Sequence, residues 1–161
     1  MKEEDDLVLF DGDMMLTKAQ RRSIMSEEGV YSYSAIEGGR WPDGIIPYVI
    51  VSSTNSENSS NYRFREFNKT QLEKIMDGIN AFNALPTCLK FVEREPHHEY
   101  YTKIVDELKL NSTTGLWEEK GCTSGIGRTS IAKHGSITHQ SVNLKPSCLR
   151  TWDAGWDAFG T

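Results

Sequence analysis

The chain has 161 residues, a net charge of −5, 37% hydrophobic and 25% charged residues, which supports one globular core and argues against wholesale disorder. The acidic balance lacks the basic stripe of a nucleic-acid binder, and no apolar run reaches the roughly 20 residues of a membrane span. Residues 1–37 read as a polar arm, with one apolar burst, "LVLF", before "DGD", and a short helix in "TKAQRRSIMSEEG". The start, "MKEEDDLVLF", has no apolar signal-peptide core.

The main domain begins near Arg40. Ile45 to Val51 is apolar and β-branched, hence a strand; proline lacks a ladder donor, so Pro47 marks either an edge strand or a strand's first residues, and it stands near the beginning of this one. "SSTNSENSSNY" is a polar loop. Thr70 and Glu73 have capping-box spacing, and Leu72, Ile75, Met76, Ile79 and Phe82 recur on one helical face up to the stop at Pro86. Leu89 to Glu93 alternates as a strand, "YYTKIVDEL" starts another that suits an edge, and "NSTTGLWEEKGCTSGIGR" reads as turn-rich loop. Gln140 to Leu144 is a short strand. The order gives an α+β fold: a small mixed sheet with a helix laid across it.

Three sequons, at Asn58, Asn68 and Asn111, and three cysteines, Cys88, Cys122 and Cys148, lean toward an extracellular protein. The four histidines, His97, His98, His134 and His139, read as solvated surface residues: the adjacent pair should point apart, and the other two lie in a loop-like stretch.

In order along the chain stand "FDGDMMLTKAQR", "RWPDGIIPYVI", "INAFNALPTCLKFVER", "GCTSGIGR" and "QSVNLKPSC". Together they resemble the astacin family of zinc metalloendopeptidases: the first is similar to that family's propeptide and the second to the opening of its catalytic domain. The resemblance runs from Leu9 to about Cys148. It implies an arm with an aspartate-switch motif over 1–37, the amino-terminal lobe of a zincin-like protease over 38–148, with a small twisted mixed sheet and helices, and an atypical tail over 149–161. It implies a secreted protein that cuts peptide or protein substrates and holds one zinc ion in the complete enzyme. An edge strand would pair with the substrate backbone.

By that resemblance, Asp13 is the propeptide ligand to zinc; read alone, it is an exposed acidic turn. Cys122 and Cys148 would form the local disulfide, and Cys88 would await a partner in the other lobe. Arg128, Gln140 and Asn143 would line the substrate-cleft edge; otherwise Gln140 and Asn143 are ordinary outward-facing strand positions. Trp41 and Tyr48 suit packing. Activating cleavage would fall between Ile24 and Ile36, where no basic residue stands.

The family's His-Glu-x-x-His helix, with paired histidine ligands and a glutamate base, is absent from the sequence. Two expectations follow: a zymogen-like portion of a protease whose metal helix and carboxy-terminal lobe lie beyond Thr161, or a non-catalytic secreted peptide-binding module. In either case this chain alone should not hold the zinc or hydrolyse peptides.

Overall fold

The computed structural model describes residues 8–10, 12–16, 18, 21, 40–52, 59–125, 128 and 139–149. Most of the expected helix in 17–29, most of the loop before Tyr62, Asn58, His134 and residues 150–161 lie outside them.

The described residues form nine strands and one α-helix: β1 Val8–Phe10, β2 Met14–Leu16, β3 Ile45–Ile50, β4 Tyr62–Arg65, α1 Lys69–Asn83, β5 Lys90–Glu93, β6 Tyr101–Leu110, β7 Trp117–Glu119, β8 Cys122–Gly125 and β9 His139–Leu144. The main sheet runs β1-β2-β8-β9-β6-β3-β5. It is mixed: β3 is parallel to β5 and β6, β6 is parallel to β9, and β8 is antiparallel to β9. This is the α+β arrangement of a mixed sheet and helix.

Two strands that suited an edge by sequence are interior, although Pro47 does stand near the beginning of its strand, β3. β3 is flanked by β5 and β6. Pro47 is tolerated because of its parity. The Tyr48 carbonyl accepts from the Arg94 N–H at 2.9 Å, so Tyr48 faces β5 and Pro47 faces β6. Pairing with β6 starts only at Tyr48↔Thr102, so the missing donor falls at the end of that ladder. β6 is the central strand rather than an edge. Its first half pairs with β3 and β9, and its second half with β4 and β7. The turn-rich stretch after it contains two strands, β7 and β8, instead of loop alone.

Helix α1 starts earlier than the Thr70–Glu73 pattern suggests. Asn68 is the cap: its Oδ1 accepts from the Gln71 N–H at 2.8 Å, and Gln71 Oε1 accepts from the Asn68 N–H at 2.8 Å. Asn68 is extended (φ −76°, ψ 173°), as a cap must be, and Thr70 falls inside the first turn. Ile75 and Ile79 are buried, whereas Leu72 is exposed at the margin of the apolar face. The core gathers Ile75 and Ile79 of the helix, Tyr48 of β3, Ile104 of β6, Phe67 and Leu149. Leu149, assigned to the tail by sequence, packs in this core. Phe91 of β5 meets Phe82 edge-on at 5.0 Å and Tyr48 at 6.4 Å. Burial, then the charge of Glu93, pushes the Tyr48 hydroxyl above its ordinary pKa.

The far edge, β5, is closed by side chains. Asn83 at the end of α1 accepts from the Phe91 N–H at 2.8 Å and donates to its carbonyl at 2.9 Å, occupying the positions a neighbouring strand would use. The β4-β6-β7 end carries charge: Arg65 donates to both oxygens of buried Asp106, at 2.9 and 3.0 Å, and to Glu119 at 2.7 Å. Buried Glu107 pairs with Lys120. Two buried carboxylates can occupy a central strand here because each meets a cationic partner from a neighbouring segment.

Candidate functional site

Toward the opposite end of the sheet, β8 is the last strand before β1 and β2, the two strands supplied by the arm. Gly121 enters the left-handed region (φ +76°) and turns the chain into β8. Cys122 is then tied to Cys148 by a disulfide with Cα atoms 5.8 Å apart. Thr123 is buried; its hydroxyl donates to the Lys120 carbonyl and accepts from Asn143 Nδ2, both at 3.2 Å. The disulfide, the antiparallel pairing with β9 and the threonine bonds fix one side of β8.

The other side of β8 is taken by residues of the arm. Val8–Phe10 and Met14–Leu16 form a hairpin: Val8↔Leu16, Leu9↔Met15 and Phe10↔Met14 pair across a short connection that includes Gly12 and Asp13. Gly12 at φ +86° supplies the left-handed residue that a three-residue connection needs. β2 then runs parallel to β8, with Met14 opposite Ser124 and Met15 opposite Gly125. The Ser124 N–H donates to the Asp13 carbonyl at 2.9 Å, and Leu16 is fully buried. The expectation of an arm outside the core therefore misses Leu16. Chemically, β8 is a strand edge that binds extended backbone by main-chain hydrogen bonds, and residues 13–15 of the same chain occupy it.

The residues singled out by sequence separate around this edge. Asp13 is exposed on the hairpin turn and touches β8 through its backbone. Gln140 and Asn143 lie in β9, which is interior, one strand in from the edge they were expected to line. Asn143 is buried, not outward-facing, and bonded to Thr123. Arg128 sits elsewhere: its Nε donates to the Arg40 carbonyl at 2.9 Å, and its guanidinium lies 4.3 Å over the Tyr100 ring. It anchors the chain entering the Trp41–Gly44 turn. Cys88 is free and exposed. Asn68 caps α1, while Asn111 accepts from the Thr113 and Thr114 N–H groups and donates to Glu118.

The histidines also depart from expectation. The His97 and His98 rings do not point apart; their centroids are 4.1 Å from each other. A closed turn holds them on one side, with the His98 N–H donating to the Glu95 carbonyl at 3.0 Å. His139 begins β9, 5.5 Å from the Tyr101 ring, and is not in a loop.

A catalytic zinc needs three protein ligands with a water position left open. Among the described residues no group of three or more metal-ligating side chains includes Asp13, and the sequence contains no His-Glu-x-x-His. Among the described residues, Asp13 and the strand edge beside it do not assemble that family's zinc centre.

No family model matches the chain. Among curated proteins it is similar to "Zinc metalloproteinase nas-39" of Caenorhabditis elegans, 32% identical over 101 residues, covering 62% of this chain and 9% of the relative. "Protein SpAN" of Strongylocentrotus purpuratus is 28% identical over 155 residues, covering 91% and 20%. "Blastula protease 10" of Paracentrotus lividus is 28% identical over 126 residues, covering 74% and 18%. The chain spans at most about a fifth of the length of these relatives. The three similarities support an astacin-like relationship and a coarse assignment to metalloprotease-type proteins.

Proposed function

We propose that this chain is the proregion and amino-terminal lobe of an astacin-like zinc metalloendopeptidase that cuts peptide or protein substrates. Residues 1–37 are the arm, the lobe begins at residue 38, and β8 is the strand that pairs with the substrate backbone. The observation that carries this reading is the hairpin on β8, with the Ser124 N–H given to the Asp13 carbonyl. A peptide that already fills a strand edge excludes another from it, so the arm blocks the substrate by occupation. Asp13 takes the aspartate-switch position at the exposed tip of this hairpin. The catalytic zinc and its ligands belong to the carboxy-terminal lobe of the complete enzyme. When bound there, the metal supplies Lewis-acid activation of water.

The disulfide and the sequons Asn58, Asn68 and Asn111 support secretion. The same strand edge supports a second reading: a non-catalytic secreted peptide-binding module whose edge is β8.

The test is to release the arm. A processing-protease site inserted between residues 24 and 36 lets the arm be cut and washed away. A fluorescent synthetic peptide spanning residues 6–18 then reports on the edge by polarisation. The released lobe should bind this peptide saturably and the intact chain should not. Equal binding by both, or none by a folded released lobe, would refute the assignment.

A further inference from the structure

We propose that the turn between β5 and β6 is a binding site for a borderline divalent transition cation, Zn2+ or Cu2+, held by Glu95, His97 and His98. One ligand atom from each of the three lies within 4.8 Å of the others. The turn is organised to keep them there. Pro96 fixes its own φ, and the His98 N–H closes the turn on the Glu95 carbonyl at 3.0 Å. The Glu95 N–H donates back to His98 Nδ1 at 2.9 Å, so that nitrogen presents a lone pair, the form in which imidazole binds metals. His97 Nδ1 stands 3.5 Å from Glu95 Oε2.

The frame is firm on both sides. The Arg94 N–H is bonded to the Tyr48 carbonyl, and the Arg94 guanidinium lies 3.8 Å over the Tyr101 ring at the start of β6. The adjacent positive charge is therefore committed to an aromatic face. The His97 and Glu95 side chains are 70% and 67% exposed, so an ion can enter and water can complete its coordination.

Two imidazole nitrogens and one carboxylate oxygen suit Zn2+, Ni2+ or Cu2+, whereas Ca2+ asks for six or more oxygens. Bonds of about 2.0–2.2 Å to a tetrahedral ion draw the ligand atoms closer than they now lie. Rotation of exposed side chains is enough for that. His98 exchanges the bond from the Glu95 N–H for one to the metal, leaving that N–H to water. Three ligands on an open turn give affinity on the order of micromolar, well short of a closed structural site.

The experiment is a titration of the full chain with ZnCl2. It carries Cys88→Ser because an exposed thiol is itself a zinc ligand. Calorimetry and imidazole proton resonances are read together, with CaCl2 as the control. We expect one-to-one binding that shifts the His97 and His98 resonances and leaves those of His134 and His139 in place. His97→Ala and His98→Ala should each weaken binding by about tenfold or more, and His134→Ala should not. No saturable binding below about 1 mM, or binding that survives in the His97→Ala/His98→Ala double variant, would overturn the site. The assignment from resonances does not depend on any histidine variant folding.

Discussion

Replacing Gly44 with alanine should be among the most costly single changes in this lobe, although the residue is only half-buried. Gly44 closes the Trp41–Pro42–Asp43 turn, donating its N–H to the Trp41 carbonyl at 3.2 Å, and has φ +69°. A Cβ there would stand 2.3 Å from the Cys88 carbonyl oxygen and 3.2 Å from its carbon. Both are backbone atoms, so no side chain can swing away. Holding a non-glycine residue in the left-handed region costs about 1–2 kcal/mol. Relieving the overlap means parting the chain from the segment that leads into β5, one residue before Ile45 pairs with Lys90, at about 1–3 kcal/mol more. The total is about 2–5 kcal/mol, a fall in Tm on the order of 5–15 °C for a chain this size. Thermal unfolding followed by circular dichroism measures it. Asp43→Gly is the control: Asp43 already has φ 55° and is exposed, so glycine there should stay within about 1 kcal/mol of wild type. A Gly44→Ala protein that melts within about 2 °C of wild type would refute the reasoning.

Three further outcomes are expected. Arg65→Ala should cost about 2–3 kcal/mol in urea unfolding, because it leaves buried Asp106 unpaired; the figure is kept low because the Arg65 side chain is 38% exposed. The Arg65 hydrogen bond also holds the Glu119 carboxyl below its ordinary 4.5. That contribution is present above 4.5 and lost as pH falls through the lower folded value, so Arg65→Ala should flatten the acid limb of a stability–pH curve. Tyr48 has the opposite sign: its pKa is raised from 10.0, so its contribution is whole below 10.0 and lost as pH climbs through the higher folded value. Tyr48→Phe should abolish that alkaline fall in Tm. Replacing Cys122 and Cys148 by serine should cost about 3 kcal/mol for a loop of 26 residues, with urea midpoints as the measure and an unchanged midpoint as the contrary result.

Sequence reading reached the parts of this fold that local chemistry dictates. Ile75 and Ile79 announce the buried face of α1, and the β-branched run from Ile45 announces β3. It failed where partners decide. β6 looks like an edge strand because Thr102, Asp106 and Glu107 are polar, but Arg65 and Lys120 from neighbouring segments meet the two carboxylates and let the strand run through the middle. β8 reads "CTSG", without an alternating apolar pattern, because pairing on both sides and a disulfide hold it. Two capping patterns overlap at the start of α1, and backbone geometry alone chooses Asn68. The cleft-edge expectation for Arg128, Gln140 and Asn143 came from the family resemblance; in this sheet β9 is interior, with β8 between it and the arm. One signal for the docked hairpin was available, since Asp-Gly between two apolar runs is a hairpin signature.

The central claim is that the arm occupies the β8 edge, and the Ser124 amide reports it most directly. Its proton is given to the Asp13 carbonyl, so hydrogen exchange in the intact chain should be slow there. Leu16→Asp places a charge where the side chain is fully buried and should lift the hairpin off β8. We expect Ser124 exchange to accelerate by orders of magnitude in this variant, while the Ile79 amide within α1 stays protected. Equally fast Ser124 exchange in both proteins, with Ile79 protected in each, would contradict the account.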